Sequence, residues 1–351
     1  MAVDWLRGDL THRLRLVQVD PITLAVRGEL SGPMPTGTLS LDYYADTKAS
    51  AKVETSNEGG DGWDGTAAIR LVHEVSDYTG LLLTENLFTG YVRERSVETS
   101  AGTNHVSYEL GSALWAMQDD LSVGNSIARG SNVRTAMDAV FRACMGRRHR
   151  YASDATGAAA SSAIVWKPST SHLSMLYEMC DVCGTRLDLD GDGTVVVRKY
   201  VAPSDRGADY DCNAVPGRGD LIGPITTADA EVLLDSGHMV TATSGDATVV
   251  GTAHRGSGRA SAAQRGYNKI GHTSETELSP FTNARAASAA TGYLNRESAI
   301  WEVSHGMTYK PLSIGAIERL HLDGQARKWL VKSADLDMAR WTWKLDLKGG
   351  W

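Results

Sequence analysis

Hydrophobic and polar residues alternate with a period of two over most of the first third of the chain. Leu14 and Leu16 alternate with charged residues, and Leu39, Leu41 and Tyr43 repeat the same spacing. Such alternation is typical of strands with one buried face, because successive side chains of a strand point to opposite sides. Several short strands separated by turn residues therefore predict a β-barrel-like domain over residues 1–120.

The period becomes helical in the middle of the chain. Val133, Met137 and Val140 fall on one helical stripe, which predicts a helix over about residues 131–145. A second stripe, closed by Gly184, predicts a helix over about residues 171–183. The β-branched run that follows predicts a hairpin over residues 186–200. Together these elements form a predicted α/β insert over residues 121–212.

Strand patterns return in the last third. One alanine-rich stretch predicts a helix over about residues 283–296, and the closing strand places Trp341 and Trp343 on one face. These features predict a second β-barrel-like domain over residues 213–351. The expected fold class is therefore β-dominated α+β, with two β-barrel-like domains and an α/β insert carrying two helices and a hairpin.

Charge and hydropathy limit the classes of function. The chain of 351 residues has 42 acidic and 35 basic side chains, for a net charge of −7. This balance argues against a nucleic-acid-binding surface, because neutralising phosphates needs an excess of basic residues. Charged residues occur every few positions at the start of the sequence, so it has no apolar stretch of signal-peptide length. No apolar run anywhere in the sequence reaches the length of a membrane span. We therefore expect a soluble protein without a signal peptide or a membrane span.

The segment that begins at Asp188 matches the start of a calcium-binding loop. Asp188, Asp190 and Asp192 have the spacing of the first three ligands. The twelfth position of such a loop supplies a bidentate carboxylate, and here it is Lys199. The pattern therefore predicts a hairpin turn and no calcium site.

The four cysteines raise the question of a zinc site. Cys180 and Cys183 form a C-x-x-C pair, whereas Cys144 and Cys212 are single and distant. Structural zinc sites usually combine two such close pairs, and the pair here lies at the end of a predicted helix. Buried core cysteines are the favoured interpretation, and a zinc site formed by all four stays open. We predict no metal or other cofactor.

Common catalytic patterns are missing from the sequence. It contains no H-E-x-x-H, no phosphate-binding loop and no G-x-G-x-x-G after a strand. We therefore predict no catalytic residues and no enzymatic activity. Trp341 and Trp343 fit either an exposed carbohydrate-binding platform or a buried face, which would be the inside of a barrel or a subunit interface. Their alternation with Leu345 and Leu347 favours burial.

The order of these elements resembles a family of viral proteins. Strands lead into two helices and then into a hairpin whose sequence from Asp188 to Val197 reads D-L-D-G-D-G-T-V-V-V. Earlier, the stretch 87–93 precedes a strand at 106–110 and a short predicted helix at 114–119. This pattern resembles the tail hub, or baseplate hub, proteins of tailed bacteriophages, which are also called minor tail proteins.

The resemblance implies a structural role. It implies a homotrimer in which two barrel domains per chain form a pseudo-sixfold ring around an axial channel. The ring would join the tail tube to the distal tip and line the exit path of the genomic DNA. Its implied partners are distal tail, tail tube, tape measure and tip or spike proteins.

The implied location is the virion tail tip, after assembly in the host cytoplasm. An acidic chain suits a channel that DNA must leave without being held. The alternatives are a receptor- or glycan-binding tail protein and, less favoured, a cell-wall hydrolase.

Overall fold

The structure, a computed structural model, describes most of the chain. The described residues are 3–30, 35–57, 62–100, 103–144, 146, 148–213, 220–229, 234–244, 247–258, 260–275, 278, 281–296, 301–322 and 324–349. Strands are the main element throughout, with helices concentrated in the middle and one long helix in the last third. The predicted β-dominated α+β class is confirmed.

The first third is built of antiparallel strands, and several of them pair with strands that are not their neighbours in sequence. Its strands are β1 (Thr11–Val19), β2 (Val26–Glu29), β3 (Thr36–Asp42), β4 (Ala49–Asn57), β5 (Ala68–Asp77), β6 (Gly80–Ser100) and β7 (Thr103–Gly111). The long strand β6 pairs with β5 along its first half and with β7 along its second half. Register shifts within both ladders allow one strand to bend between the two partners.

The middle of the chain packs three helices against small sheets. The elements are α1 (Ala113–Asp119), β8 (Asn125–Ile127), α2 (Val133–Ala143), β9 (His149–Tyr151), β10 (Ile164–Trp166), α3 (His172–Cys183), β11 (Thr185–Leu189) and β12 (Val195–Lys199). Asn132 caps α2 and Ser171 caps α3, each accepting hydrogen bonds from backbone amides of the first turn. Both helices lie where the sequence predicts them, although residue 145, the predicted end of the first, lies outside the described residues.

The last part contains β13 (Tyr210–Asn213), β14 (Leu221–Asp229), β15 (Gly237–Ser244), β16 (Ala247–His254), α4 (Ala262–Arg265), β17 (Ile270–Glu275), α5 (Asn283–Arg296), β18 (Trp301–Thr308), β19 (Ile317–Leu322), β20 (Gln325–Asp337) and β21 (Thr342–Gly349). A short 3₁₀ turn at Pro203–Asp205 precedes them. Helix α5 covers the separate sheet β16-β15-β17, where Ala286 and Ala290 pack on Val240. The sequence predicts α5 and does not reveal this separate small sheet.

One sheet runs through both ends of the chain. In the described residues, thirteen strands join in the order β14-β18-β21-β20-β3-β4-β7-β6-β5-β1-β2, with β19 beside β20 and β13 beside β19. The ladder between β3 and β20 connects the first third to the last third. The division at residues 120 and 212 stays a proposal. Strand β13, which the sequence places at the end of the insert, pairs with β19 in this main sheet.

Two large hydrophobic clusters follow this arrangement. The first cluster combines buried side chains from the first and last thirds, among them Tyr108, Leu336 and Leu345. The second cluster holds the insert together and includes Phe141 and Leu176. The insert therefore has a core of its own, whereas the two sheet-forming ends share one.

Candidate functional site

The calcium-like segment is a hairpin turn whose carboxylates face arginines. Arg186 Nη2 and Arg198 Nε each lie 2.8 Å from Asp188 Oδ2, and Asp188 is buried. Burial raises the pKa of Asp188, and the two arginines oppose this effect. Arg150 lies 2.8 Å from Asp190. These contacts explain the acidic residues through pairing within the protein, in agreement with the predicted turn.

The turn of this hairpin also fixes the insert to the main sheet. Thr89 Oγ1, on β6, donates a hydrogen bond of 2.9 Å to the carbonyl of Gly191, and Arg70 donates one of 3.2 Å to the carbonyl of Asp192. A Cβ atom at Gly191 would lie 1.7 Å from the carbonyl oxygen of Asn86. Glycine is therefore required here for close approach of two backbones.

The four cysteines do not form one site. Cys144, Cys180 and Cys183 belong to the insert, whereas Cys212 lies on β13 in the main sheet. Burial raises the pKa of Cys180 to about 12, which keeps its thiol protonated at neutral pH. Among the described residues, no three of these cysteines come within ligand distance of one another. The four-cysteine zinc alternative is therefore not supported.

Cys212 belongs to a buried polar cluster that the sequence does not reveal. His305 Nε2 lies 2.9 Å from Glu318 Oε1, and Tyr210 donates a hydrogen bond of 2.7 Å to Glu318 Oε2. Cys212, His305 and Glu318 present ligand atoms within 4.8 Å of one another, and all three are buried. Burial disfavours the charged imidazolium, but the hydrogen bond and charge of Glu318 outweigh this and raise the pKa of His305. The cluster therefore satisfies its own polar groups inside the sheet.

A second cluster lies in the insert. Asp120, Cys144 and His172 also have ligand atoms within 4.8 Å of one another. Asp120 follows α1, Cys144 follows α2, and His172 begins α3. Only Cys144 of these three is a candidate ligand from the sequence, because ligands from three different elements leave no fixed spacing in the sequence.

The closing tryptophans are buried. Trp341 is 9% exposed and Trp343 is 3% exposed. Trp341 stacks on His73 with ring centroids 3.8 Å apart, and Trp343 Nε1 donates a hydrogen bond of 2.9 Å to the carbonyl of Lys310. The exposed carbohydrate platform is therefore wrong for these two residues, and the buried face predicted from alternation is confirmed.

Trp341 belongs to a chain of polar and aromatic groups that spans the two ends of the sequence. His12 Nδ1 lies 3.0 Å from His73 Nε2, and His73 Nδ1 lies 3.0 Å from Glu85 Oε1. The hydroxyl of Tyr309 donates a hydrogen bond to Glu85 from the last third of the chain. Burial, together with the charge of His73, lowers the pKa of His12 to about 4. The network therefore links β1, β5 and β6 to the segment that follows β18 through hydrogen bonds and ring contacts.

Some of the solvent-exposed apolar residues lie near the turns between strands. Tyr78 is 86% exposed at the turn between β5 and β6, and Leu81 beside it is 63% exposed. Val123 and Val165 are exposed near the β8–β10 ribbon. No helix in the described part of the chain is long and apolar enough to cross a membrane.

The fold is that of phage tail proteins. The chain is similar to the tail protein from Neisseria meningitidis MC58, with a TM-score of 0.66 and 12% identity over 96% of each chain. It is also similar to the 43 kDa tail protein of prophage MuSo2 from Shewanella oneidensis, with a TM-score of 0.65 and 12% identity over 96% of this chain and 98% of that one. Both matches span nearly the whole length, so the likeness covers the sheet, the insert and the order in which they occur.

A component of a bacterial secretion machine shares the fold as well. An Escherichia coli protein of the type VI secretion system, described as similar to the T4 bacteriophage tail proteins gp27 and gp5, matches with a TM-score of 0.51 and 10% identity. That match covers 91% of this chain and 75% of the other. No family model and no curated protein matches the sequence. The resemblance to phage tail proteins predicted from the sequence is thus confirmed for the fold.

Proposed function

We propose that this protein is the structural hub of a phage tail tip and works as a homotrimer. The observation that carries the proposal is the whole-length likeness to two phage tail proteins. In the proposed ring, the two sheet-forming ends of each chain supply two equivalent positions. Three chains then present six positions to the tail tube and three to the distal tip.

The joined sheet supports this arrangement. The β3–β20 ladder joins the two ends of a chain in one sheet, which suits a segment of a ring. In the described residues, strands β14 and β2 lie at opposite ends of the eleven-strand path of the main sheet, and their outer edges could pair with a neighbouring chain. The exposed Tyr78 and Leu81 at the β5–β6 turn supply apolar contact area.

The proposed partners are tail tube, distal tail, tape measure and tip or spike proteins, within a virion assembled in the host cytoplasm. The net charge of −7 suits a channel that DNA crosses without lasting contacts. The proposed role requires no catalysis. Incubation with purified peptidoglycan should therefore release no soluble fragments, and release of fragments would restore the cell-wall hydrolase alternative.

The assembly state tests the proposal directly. Light-scattering mass measured across a concentration series should approach three times 37.7 kDa, and electron microscopy should show rings with a central opening. The variant Tyr78→Ser/Leu81→Ser should shift the trimer towards monomer, whereas the exposed Tyr267→Ser serves as the matched control. A protein that stays monomeric at all concentrations, and also with an added tail tube protein, would overturn the trimeric hub.

A further inference from the structure

Three helix ends meet in the insert around Asp120, Cys144 and His172. The backbone fixes two of them together, because the amide of His172 donates a hydrogen bond of 3.0 Å to the carbonyl of Asp120. An isolated bridge between Leu121 and Ser171 extends this contact by one residue on each side. Cys144, at the end of α2, is fully buried in the core of the insert. The fold therefore fixes the backbones of Asp120 and His172 beside each other and buries Cys144 next to them.

One atom of this cluster lacks a partner. His172 is 8% exposed, and its buried Nδ1 makes no hydrogen bond. The nearest carboxylate oxygen, Asp120 Oδ2, lies 3.5 Å away. A buried polar atom without a partner is destabilising, and a ligand bound to it removes that cost. The cluster around Cys212 differs, because His305 and Glu318 already satisfy each other.

The donor set and its dimensions fit a zinc-class cation. Zinc binds cysteine sulfur at about 2.3 Å and histidine nitrogen or carboxylate oxygen at about 2.0–2.2 Å, which in a tetrahedron separates ligand atoms by about 3–4 Å. The separation of 3.5 Å between His172 Nδ1 and Asp120 Oδ2 has this size. The Asp120 side chain is 37% exposed, so one side of the cluster is open to solvent. The carbonyl ends of α1 and α2 add negative potential at the same point, which opposes the positive potential of the amide end of α3.

We propose that Asp120, Cys144 and His172 bind one divalent cation of the zinc class, with water as the fourth ligand. On binding, Cys144 releases its thiol proton to solvent, and His172 coordinates through Nδ1 while its proton stays on Nε2. The ion ties together the ends of α1 and α2 and the start of α3. This site is independent of the proposed tail role, and it differs from the absence of metal expected from the sequence.

Metal loading of the full-length protein tests the site. Protein stripped with a chelator and dialysed against Zn²⁺ should retain one ion per chain by elemental analysis and should melt at a higher temperature. With Co²⁺ it should show the visible bands of a tetrahedral site and a sulfur-to-metal charge-transfer band. Cys144→Ser and Asp120→Asn should each weaken binding at least about 100-fold, since even residues around a metal's ligands contribute 10–100-fold.

The matched control is Cys212→Ser, which alters the other cluster and should retain full loading. Asp120→Asn separates loss of the metal site from loss of folding. Asp120 is partly exposed, so this variant should fold, and circular dichroism can verify that it does. Failure of the wild-type protein to retain an ion after dialysis would overturn the proposal. Loading that survives in Cys144→Ser and disappears in Cys212→Ser would overturn it too, and would assign the ion to the buried cluster.

Discussion

Ser40 Oγ donates a hydrogen bond of 2.6 Å to Asp335 Oδ1, which links residues 295 positions apart in the chain. The bond lies on the β3–β20 ladder, the junction between the first and last thirds of the molecule. Because side chains alternate along a strand, this polar pair faces solvent while its ladder neighbours face the core. The junction therefore has a polar outer face and an apolar inner face.

The apolar face of this junction should carry most of its stability. Leu336 and Leu39 are paired in register on the ladder and are 0% and 2% exposed. Leu336→Ala should lower the free energy of unfolding by about 2–5 kcal/mol, because it removes buried methyl groups and leaves a cavity. Urea unfolding followed by fluorescence and circular dichroism measures the change.

Ser40→Ala is the control for this experiment. It should lower the free energy of unfolding by at most about 1.5 kcal/mol, because the hydrogen bond that it removes is exposed. The two probes should report a single transition in both variants, since the ends of the chain share one core. A loss for Leu336→Ala no larger than the loss for Ser40→Ala would mean that the apolar face of the ladder contributes little to stability.

Gly191 should tolerate no side chain. Gly191→Ala would place a methyl group 1.7 Å from the backbone oxygen of Asn86, and a backbone on a paired strand cannot easily move. We expect a loss of about 1–3 kcal/mol in the free energy of unfolding, the usual cost of overpacking. Gly207→Ala is the control, because a Cβ atom at that position would meet no other atom within 4 Å, and it should stay within about 0.5 kcal/mol.

Added Ca²⁺ completes the test of this loop. The melting temperature of the wild-type protein should not rise with Ca²⁺, because Arg186 and Arg198 already pair with Asp188. If added Ca²⁺ raises the melting temperature of the wild-type protein and Asp190→Asn abolishes this rise, the calcium-loop pattern is functional.

Local sequence patterns predict which helices and strands form better than they predict which of these elements contact each other. The helical stripe and the capping residue Asn132 place α2 correctly, because period and caps act within a few residues. The glycine at 191 marks a turn, but the strand that it approaches lies about a hundred residues earlier. Asp120 and His172 give no signal at all, since only the packing of three helix ends brings them together. The β3–β20 ladder is invisible in the sequence for the same reason, because alternation specifies a face and not a partner.

The burial of the closing tryptophans predicts how they respond to ligands. Fluorescence from Trp343, isolated as the difference between wild type and Trp343→Phe, should be quenched poorly by acrylamide and unaffected by glycans. Trp115, which is only partly buried, gives the comparison through Trp115→Phe and should be quenched more strongly. Quenching of the Trp343 signal by a glycan would revive the binding alternative.

The His305–Glu318 pair should make stability depend on pH in a defined direction. Both side chains are fully buried, and Glu318 raises the pKa of His305 above its ordinary value in spite of burial. A raised folded-state pKa means that the folded protein holds the proton more tightly than the unfolded chain does. The stabilisation is therefore complete below the unfolded pKa of about 6.5 and is lost as pH rises through the folded pKa.

The variant His305→Gln should remove this dependence. Below about pH 6.5, wild type should exceed the variant by about 3–5 kcal/mol, because the variant leaves Glu318 buried without a charged partner. The difference should shrink steadily at higher pH, in unfolding experiments repeated across the range. His254→Gln, at an exposed position outside the cluster, should follow wild type. Parallel curves for wild type and His305→Gln would mean that His305 is not ionised in the folded protein and that Glu318 is held by Tyr210 alone.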